Sequence, residues 1–357
     1  MGRKKGGKNK PRINSVQDYI SKPAPEDIRR MKKSKNELID NPSVEQNNKI
    51  NKEQQNILKR VVNDLTKTFG HDAFHYAKDE KVKEKISFPI SEMNKLTGGG
   101  IQLGSFSVIW GGKSNGKTTL TYYLIAQAQK QNKRCALFDL ENSFDSIWAE
   151  KCGVNLDTLL LGHFKTAEQA MDSLIKLCKE KVMDFIVLDS IQSLSPTGEQ
   201  ETKKGKEKSI EDDTMALLAR KLSQFFRVSA SSVYKGKVGI LLIGQSRIDL
   251  GGFVKLETLS GGNALQHWSS LTIKIRRGQK VDAPRYKFKD NKGKKKEIII
   301  GFSLVMKIQK TKVSGTAPEN TEIRLPFYYE YGFKRPTDKQ VEKMYSNWIE
   351  FENDVEE

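Results

Sequence analysis

The chain is predicted to fold as an α/β domain. A mostly parallel sheet is covered by helices on both faces, and antiparallel strands extend it on the C-terminal side. Three observations predict this. A phosphate-binding pattern sits between a strand pattern and a helix pattern. Near-continuous apolar runs, such as those at 185–188 and 238–244, alternate with helical patterns, as buried parallel strands do. Beyond Leu271 strand patterns follow one another without helices between them.

Taken in order, residues 1–50 carry thirteen Lys/Arg against six Asp/Glu, and the first twelve hold six bases and no acid. Such a stretch is expected to be disordered at its start, either a DNA-attracting arm or a solvated tail. Ile50, Ile57, Val61, Val62, Leu65 and Phe69 are spaced for one face of a helix, which Gly70 stops. Residues 86–104 read as irregular and Gly-rich. Strands follow at 106–110, 134–139, 159–161, 185–189 and 238–244, and helices at 118–130, 146–152, 167–181 and 214–232. Three further strands are expected at 271–275, 298–308 and 322–329. The last eight residues hold five acids and no base, which suggests a solvated acidic tail.

The run Gly111-Gly112-Lys113-Ser114-Asn115-Gly116-Lys117-Thr118 fits the phosphate-loop spacing at every fixed position. Glycines let successive N–H groups converge on one anion, and the N-terminus of the next helix adds its dipole. Lys117 supplies a point charge for the β- and γ-phosphates of ATP, and Thr118 a hydroxyl for Mg²⁺. Asp189 ends an apolar strand, where a second Mg²⁺ anchor is needed; an ordinary strand-end Asp is the alternative. Glu141 follows the strand 134–139 at the end of the sheet that faces a ligand, well placed to polarise water. Asp145 and Trp148 lie where they can hydrogen-bond and stack on a purine, with core packing the alternative for Trp148. Gln245, at the end of strand 238–244, is placed to report a γ-phosphate to the loop that follows.

Composition narrows the classes. The chain has 357 residues, 36% hydrophobic, and a net charge of +18, which points to a polyanionic partner. Mean hydropathy is −0.61. No apolar run suits a membrane span or a secretory signal, so a cytoplasmic site is expected. Cys135, Cys152 and Cys178 are odd in number and widely spaced, with neither metal nor disulfide spacing.

These stretches, read together, resemble the RecA-type DNA strand-exchange recombinases of bacteria and their phages, the UvsX type included. The similarity covers residues 112–119 through Thr119, 139–145, 187–190, 215–220 and, most tellingly, Gly261-Gly262-Asn263-Ala264-Leu265 after Gln245-Ser246-Arg247. The resemblance implies a RecA-like ATPase core and an ATP-dependent recombinase. Such an enzyme forms helical filaments on single-stranded DNA and exchanges strands with homologous duplex DNA. It implies Glu141 as general base, Asp145 and Trp148 on adenine, with Trp where the family has Tyr, and Gln245 as γ-phosphate sensor. It implies a first DNA loop over 196–213 followed by Arg220, and a second over 247–262 involving Arg247, Phe253, Gly261, Gly262 and Asn263. It also implies that Lys310 and Lys312 reach a neighbouring protomer's ATP. A single-strand-binding protein and a mediator are further expected partners.

The implied organisation is an arm at 1–48 and a protomer-packing helix and linker at 49–85. A core follows at 86–333, with a basic insertion at 274–297, and then a short acidic-ended tail at 334–357. The chain departs from the family in a longer, charge-rich first loop and in the basic insertion, which holds eleven Lys/Arg and three acids. It also ends too soon after residue 333 for the family's C-terminal domain. Two other functions share these motifs: a ring-forming helicase or motor with the same core, and a DNA-coating scaffold that uses ATP only as a clip.

Overall fold

The computed structural model describes residues 42–70, 73–74, 76–80, 82–197, 217–249, 256–259, 263–289 and 293–354. The chain divides into two units, Met1–Glu80 and Lys81–Glu357. In the first, helix α1 runs Pro42–Phe69. It starts earlier than the apolar spacing suggested, because Pro42 suits the first helical position, where no N–H is needed. Its apolar residues Ile57, Leu58 and Val61 are about half exposed.

The second unit holds the predicted α/β architecture. Its central sheet has nine strands in the order β13-β12-β9-β3-β7-β6-β4-β5, with β8 paired to β7. These are β3 Ser105–Gly111, β4 Cys135–Asp139, β5 Leu159–Gly162, β6 Phe185–Asp189, β7 Gly239–Asp249, β8 Leu256–Leu259, β9 Ser269–Arg277, β12 Gly301–Thr311 and β13 Glu322–Tyr328. Two small ribbons stand apart: β1 Lys85–Ile86 with β2 Ile101–Gln102, and β10 Arg285–Lys289 with β11 Lys295–Ile299.

β3, β4, β6 and the part of β7 up to Gly244 are buried because alternate side chains enter two different cores. Ile109, Leu137, Val187 and Leu241 meet α3 (Lys117–Lys130) and α2 (Ser91–Thr97) through Leu120, Leu124 and Met93. Val108, Ala136, Ile186 and Leu242 meet α5 (Ala167–Glu180) and α6 (Leu217–Gly236) through Leu174, Phe225 and Phe226. Each fully buried Leu, Ile or Phe contributes about 1.5–3 kcal/mol. The short helices α4 (Ser146–Lys151) and α7 (Asn263–Trp268) lie downstream of β4 and β8. The three cysteines are buried, and burial pushes each thiol up to about 12.

Several expectations need correction. The stretch 86–104 is not irregular: α2 spans Ser91–Thr97 and closes on Gly98, whose φ of 63° is the left-handed cap that glycine takes cheaply. β9 runs parallel to β3, so the antiparallel extension starts only at β12 and β13. Residues 274–277 belong to β9, which leaves the insertion to follow Arg277. The strand expected over 298–308 is two, because the backbone leaves the ribbon after Ile299 and enters the central sheet at Gly301. The tail carries helix α8, Asp338–Asp354, whose Val341 is buried against Ile298, Ile300 and Tyr328. Among the described residues no helix is long and apolar enough to cross a membrane.

Candidate functional site

Parallel β3, β4 and β6 end on one side of the sheet, and register brings their last residues into a row with Gln245 of β7. Asp139 pairs with Asp189, and Gly111 with Gln245. The phosphate loop springs from this row. At Gly111 a Cβ would lie 2.0 Å from the Ile275 carbonyl oxygen, so only glycine lets β3 and β9 approach. Gly116 turns into α3 with φ of 81°. Lys113 and Ser114 stand exposed at the loop's tip. Asn115, turned so that its oxygen meets the Gly112 amide at 3.1 Å and its amide nitrogen the Lys113 carbonyl at 3.3 Å, closes the loop on itself.

Lys117 is only 8% exposed. Its ammonium donates to the carbonyls of Gly111 at 3.2 Å and Gly112 at 2.7 Å. Burial lowers its pKa, against the pull of Asp189 and Glu141. Thr118 Oγ1 donates to Asp189 Oδ2 at 2.9 Å. Burial pushes the Asp189 carboxyl up to about 6; the Thr118 hydrogen bond opposes this, and nearby Glu141 adds to it. One carboxylate and one hydroxyl, completed by phosphate oxygens, is the donor set Mg²⁺ takes. Among the described residues no cluster of His, Cys, Asp and Glu could hold a metal by itself.

Glu141 lies beyond β4 in a turn that Asp139 fixes by accepting from the amides of Ser143 at 3.1 Å and Phe144 at 2.9 Å. Its Oε1 accepts from Gln245 Nε2 at 2.7 Å and from the Ser190 hydroxyl. The base and sensor candidates, 104 residues apart in sequence, are thus in contact. Gln192, just after β6, holds the Gln245 backbone: its Oε1 accepts from Gln245 N at 2.8 Å. Neither Ser190 nor Gln192 is marked by any spacing in the sequence as a partner of Glu141 or Gln245.

Asp145 caps α4 by accepting from Trp148 N at 2.9 Å. The Trp148 indole N–H donates to Thr119 Oγ1 at 3.0 Å, and the ring packs against the core while remaining part-exposed. Trp148 is thus tied to α3 within one turn of Lys117, and the Asp145 amide donates to the Tyr122 hydroxyl of the same helix at 3.2 Å.

The expected second DNA loop is partly regular. β7 continues past Gln245 to Asp249 and pairs with β8, Arg247 opposite Thr258. Glu257 on β8 bonds Lys274 at 2.6 Å, which keeps its carboxyl below the usual range. Lys274 also lies 4.8 Å from the centre of the Trp110 ring. Phe253, Gly261 and Gly262 lie outside the described residues, as do the side chains of Arg247 and Asn263 and most of the first loop. Asn263 opens α7, and Arg220 is exposed in the first turn of α6.

Lys310 and Lys312 stand side by side on and just beyond β12. Lys310 Nζ donates to the carbonyls of Gln266 and of His267, the latter at 3.0 Å, and Lys312 Nζ to His267 O at 3.3 Å. Within the protomer they hold the C-terminal end of α7. Burial, then the neighbouring Lys312, lowers the Lys310 pKa.

The RecA N-terminal domain family model matches residues 56–332 of this chain. The chain is also similar to Protein RecA of Ehrlichia chaffeensis, 32% identical over 290 residues, which span 80% of this chain and 75% of that protein.

Proposed function

The chain belongs to the RecA family, and we propose that it forms helical filaments on single-stranded DNA, hydrolyses ATP there and exchanges strands with homologous duplex DNA. The observation that carries this reading is the 2.7 Å hydrogen bond from Gln245 Nε2 to Glu141 Oε1. It joins the hydrolytic carboxylate to the strand that leads into the second DNA loop. Gln245 turns its amide from Glu141 to the γ-phosphate when ATP is bound, and β7 carries that change towards DNA. Glu141, released, takes a proton from water as its oxygen attacks the γ-phosphorus and the bond to the β-phosphate oxygen breaks, giving ADP and phosphate. Thr118 and Asp189 would hold Mg²⁺, which neutralises phosphate charge when bound. Asp145 and Trp148 receive the adenine, and Lys117 binds the β- and γ-phosphates.

Self-association places Lys310 and Lys312 against a neighbour's triphosphate, so the lysines that clamp α7 also read the seam. The half-exposed stripe on α1 supports packing on a second copy. The family match favours neither a ring helicase nor a passive scaffold.

Steady-state phosphate release checks the coupling. Single-stranded DNA is expected to raise turnover at least about tenfold, as a shift of only about 1.4 kcal/mol would. Equal turnover with and without DNA would mean that the Gln245–Glu141 contact couples nothing.

A further inference from the structure

We propose that the outer face of the β10–β11 ribbon is a binding site for the backbone of double-helical DNA. The choice of DNA as the polyanion rests on the recombinase reading above. The ribbon is inserted between β9 and β12 and has two unlike faces. Tyr286, Phe288 and Ile298 turn inward and pack with Tyr328 and Val341. Tyr286 also donates its hydroxyl to Glu342 of α8 at 2.8 Å. The inner face is thus occupied by this chain's own core.

The outer face carries Arg285, Lys287 and Lys289 on one strand, all exposed, and Lys295 and Glu297 on the other. Arg285 pairs with Glu297, the single acid of this face among the described residues. Among the described residues Lys287, Lys289 and Lys295 form no salt bridge, although the register sets Lys287 opposite Glu297, whose carboxylate bonds Arg285. Lys289 lies directly opposite Lys295 in the register, and like charges so placed cost stability. Folding alone gains nothing from that pairing, whereas a polyanion laid over the face relieves it. The basic side chains along β10 repeat every second residue, about 6–7 Å apart, a row suited to a line of phosphates.

The face also discriminates between forms of DNA. Its aromatic residues are turned inward, so no ring is offered for unstacked bases, the contact on which single-strand binding relies. A row of cations without rings fits phosphates whose bases are already stacked in a duplex.

The triple variant Lys287→Gln, Lys289→Gln, Lys295→Gln tests this in the full chain. The three side chains are exposed, and an unchanged melting temperature verifies the fold. Duplex binding is titrated against salt without nucleotide. Affinity is expected to fall about tenfold or more, and the slope of log K against log salt to shrink by about 2–3. Single-stranded DNA affinity and ATP turnover on single-stranded DNA are expected to hold. Unchanged duplex affinity and slope overturn the proposal, and so does an equal loss for single-stranded and duplex DNA. The duplex arm alone judges the ribbon. Absence of DNA-stimulated turnover in the parent chain counts instead against the recombinase reading.

Discussion

Lys117→Ala is expected to lower ATP turnover by about 10²–10³-fold or more, the scale of losing one preorganised donor at a reacting group. It is also expected to abolish nucleotide-dependent DNA binding. The reason lies in the balance of charge at the row of strand ends. Lys117 is a nearly buried cation facing Asp189 and Glu141. Its ammonium spends its hydrogen bonds on two loop carbonyls, which hold it where the β- and γ-phosphates arrive. Alanine leaves two carboxylates and a triphosphate in one pocket with that charge gone. The fold is expected to survive, since position 117 opens α3 and alanine is the best helix former. Phosphate release and equilibrium binding of a fluorescent ATP analogue check this. Turnover within a few-fold of the parent would remove Lys117 from the phosphate site.

Glu141→Gln separates chemistry from binding. The variant is expected to bind ATP and single-stranded DNA as tightly as the parent while kcat falls by about 10²–10⁴-fold, the range for losing a general base. Glutamine fills the same space but has no charge to accept the proton of the attacking water. The exposed position in a turn held by Asp139 argues that the substitution costs little stability. Single-turnover hydrolysis and DNA binding measured on the same preparation check it. Parent-like hydrolysis would rule out Glu141 as base, and loss of both hydrolysis and DNA binding would make it a structural residue.

What was legible in the sequence was whatever chemistry fixes at short range. The phosphate loop needs its glycines, Lys117 and Thr118 in consecutive positions, and buried parallel strands need unbroken apolar runs, so both could be read directly. Asp189 and Glu141 were legible because a parallel sheet puts its strand ends on one side. The contacts of Ser190 and Gln192 were not, because they join neighbouring strands and no local pattern encodes which strands are neighbours. The direction of β9 was hidden for the same reason: a strand's composition does not tell parallel from antiparallel. Helix α8 was missed because the acids at 350–357 outweighed the apolar spacing of Val341 and Tyr345, which needs the ribbon and Tyr328 as a partner surface. Helix α2 was missed because three consecutive glycines dominate the stretch, although the first of them serves as its cap.

The central claim is that a triphosphate held at the row of strand ends makes copies of this chain assemble on single-stranded DNA. Sedimentation of the full chain with a non-hydrolysable ATP analogue, Mg²⁺ and a single-stranded oligonucleotide tests it most directly. The account predicts large helical assemblies that require the nucleotide and fall apart when ADP replaces it. A chain that sediments as a monomer under those conditions would contradict it.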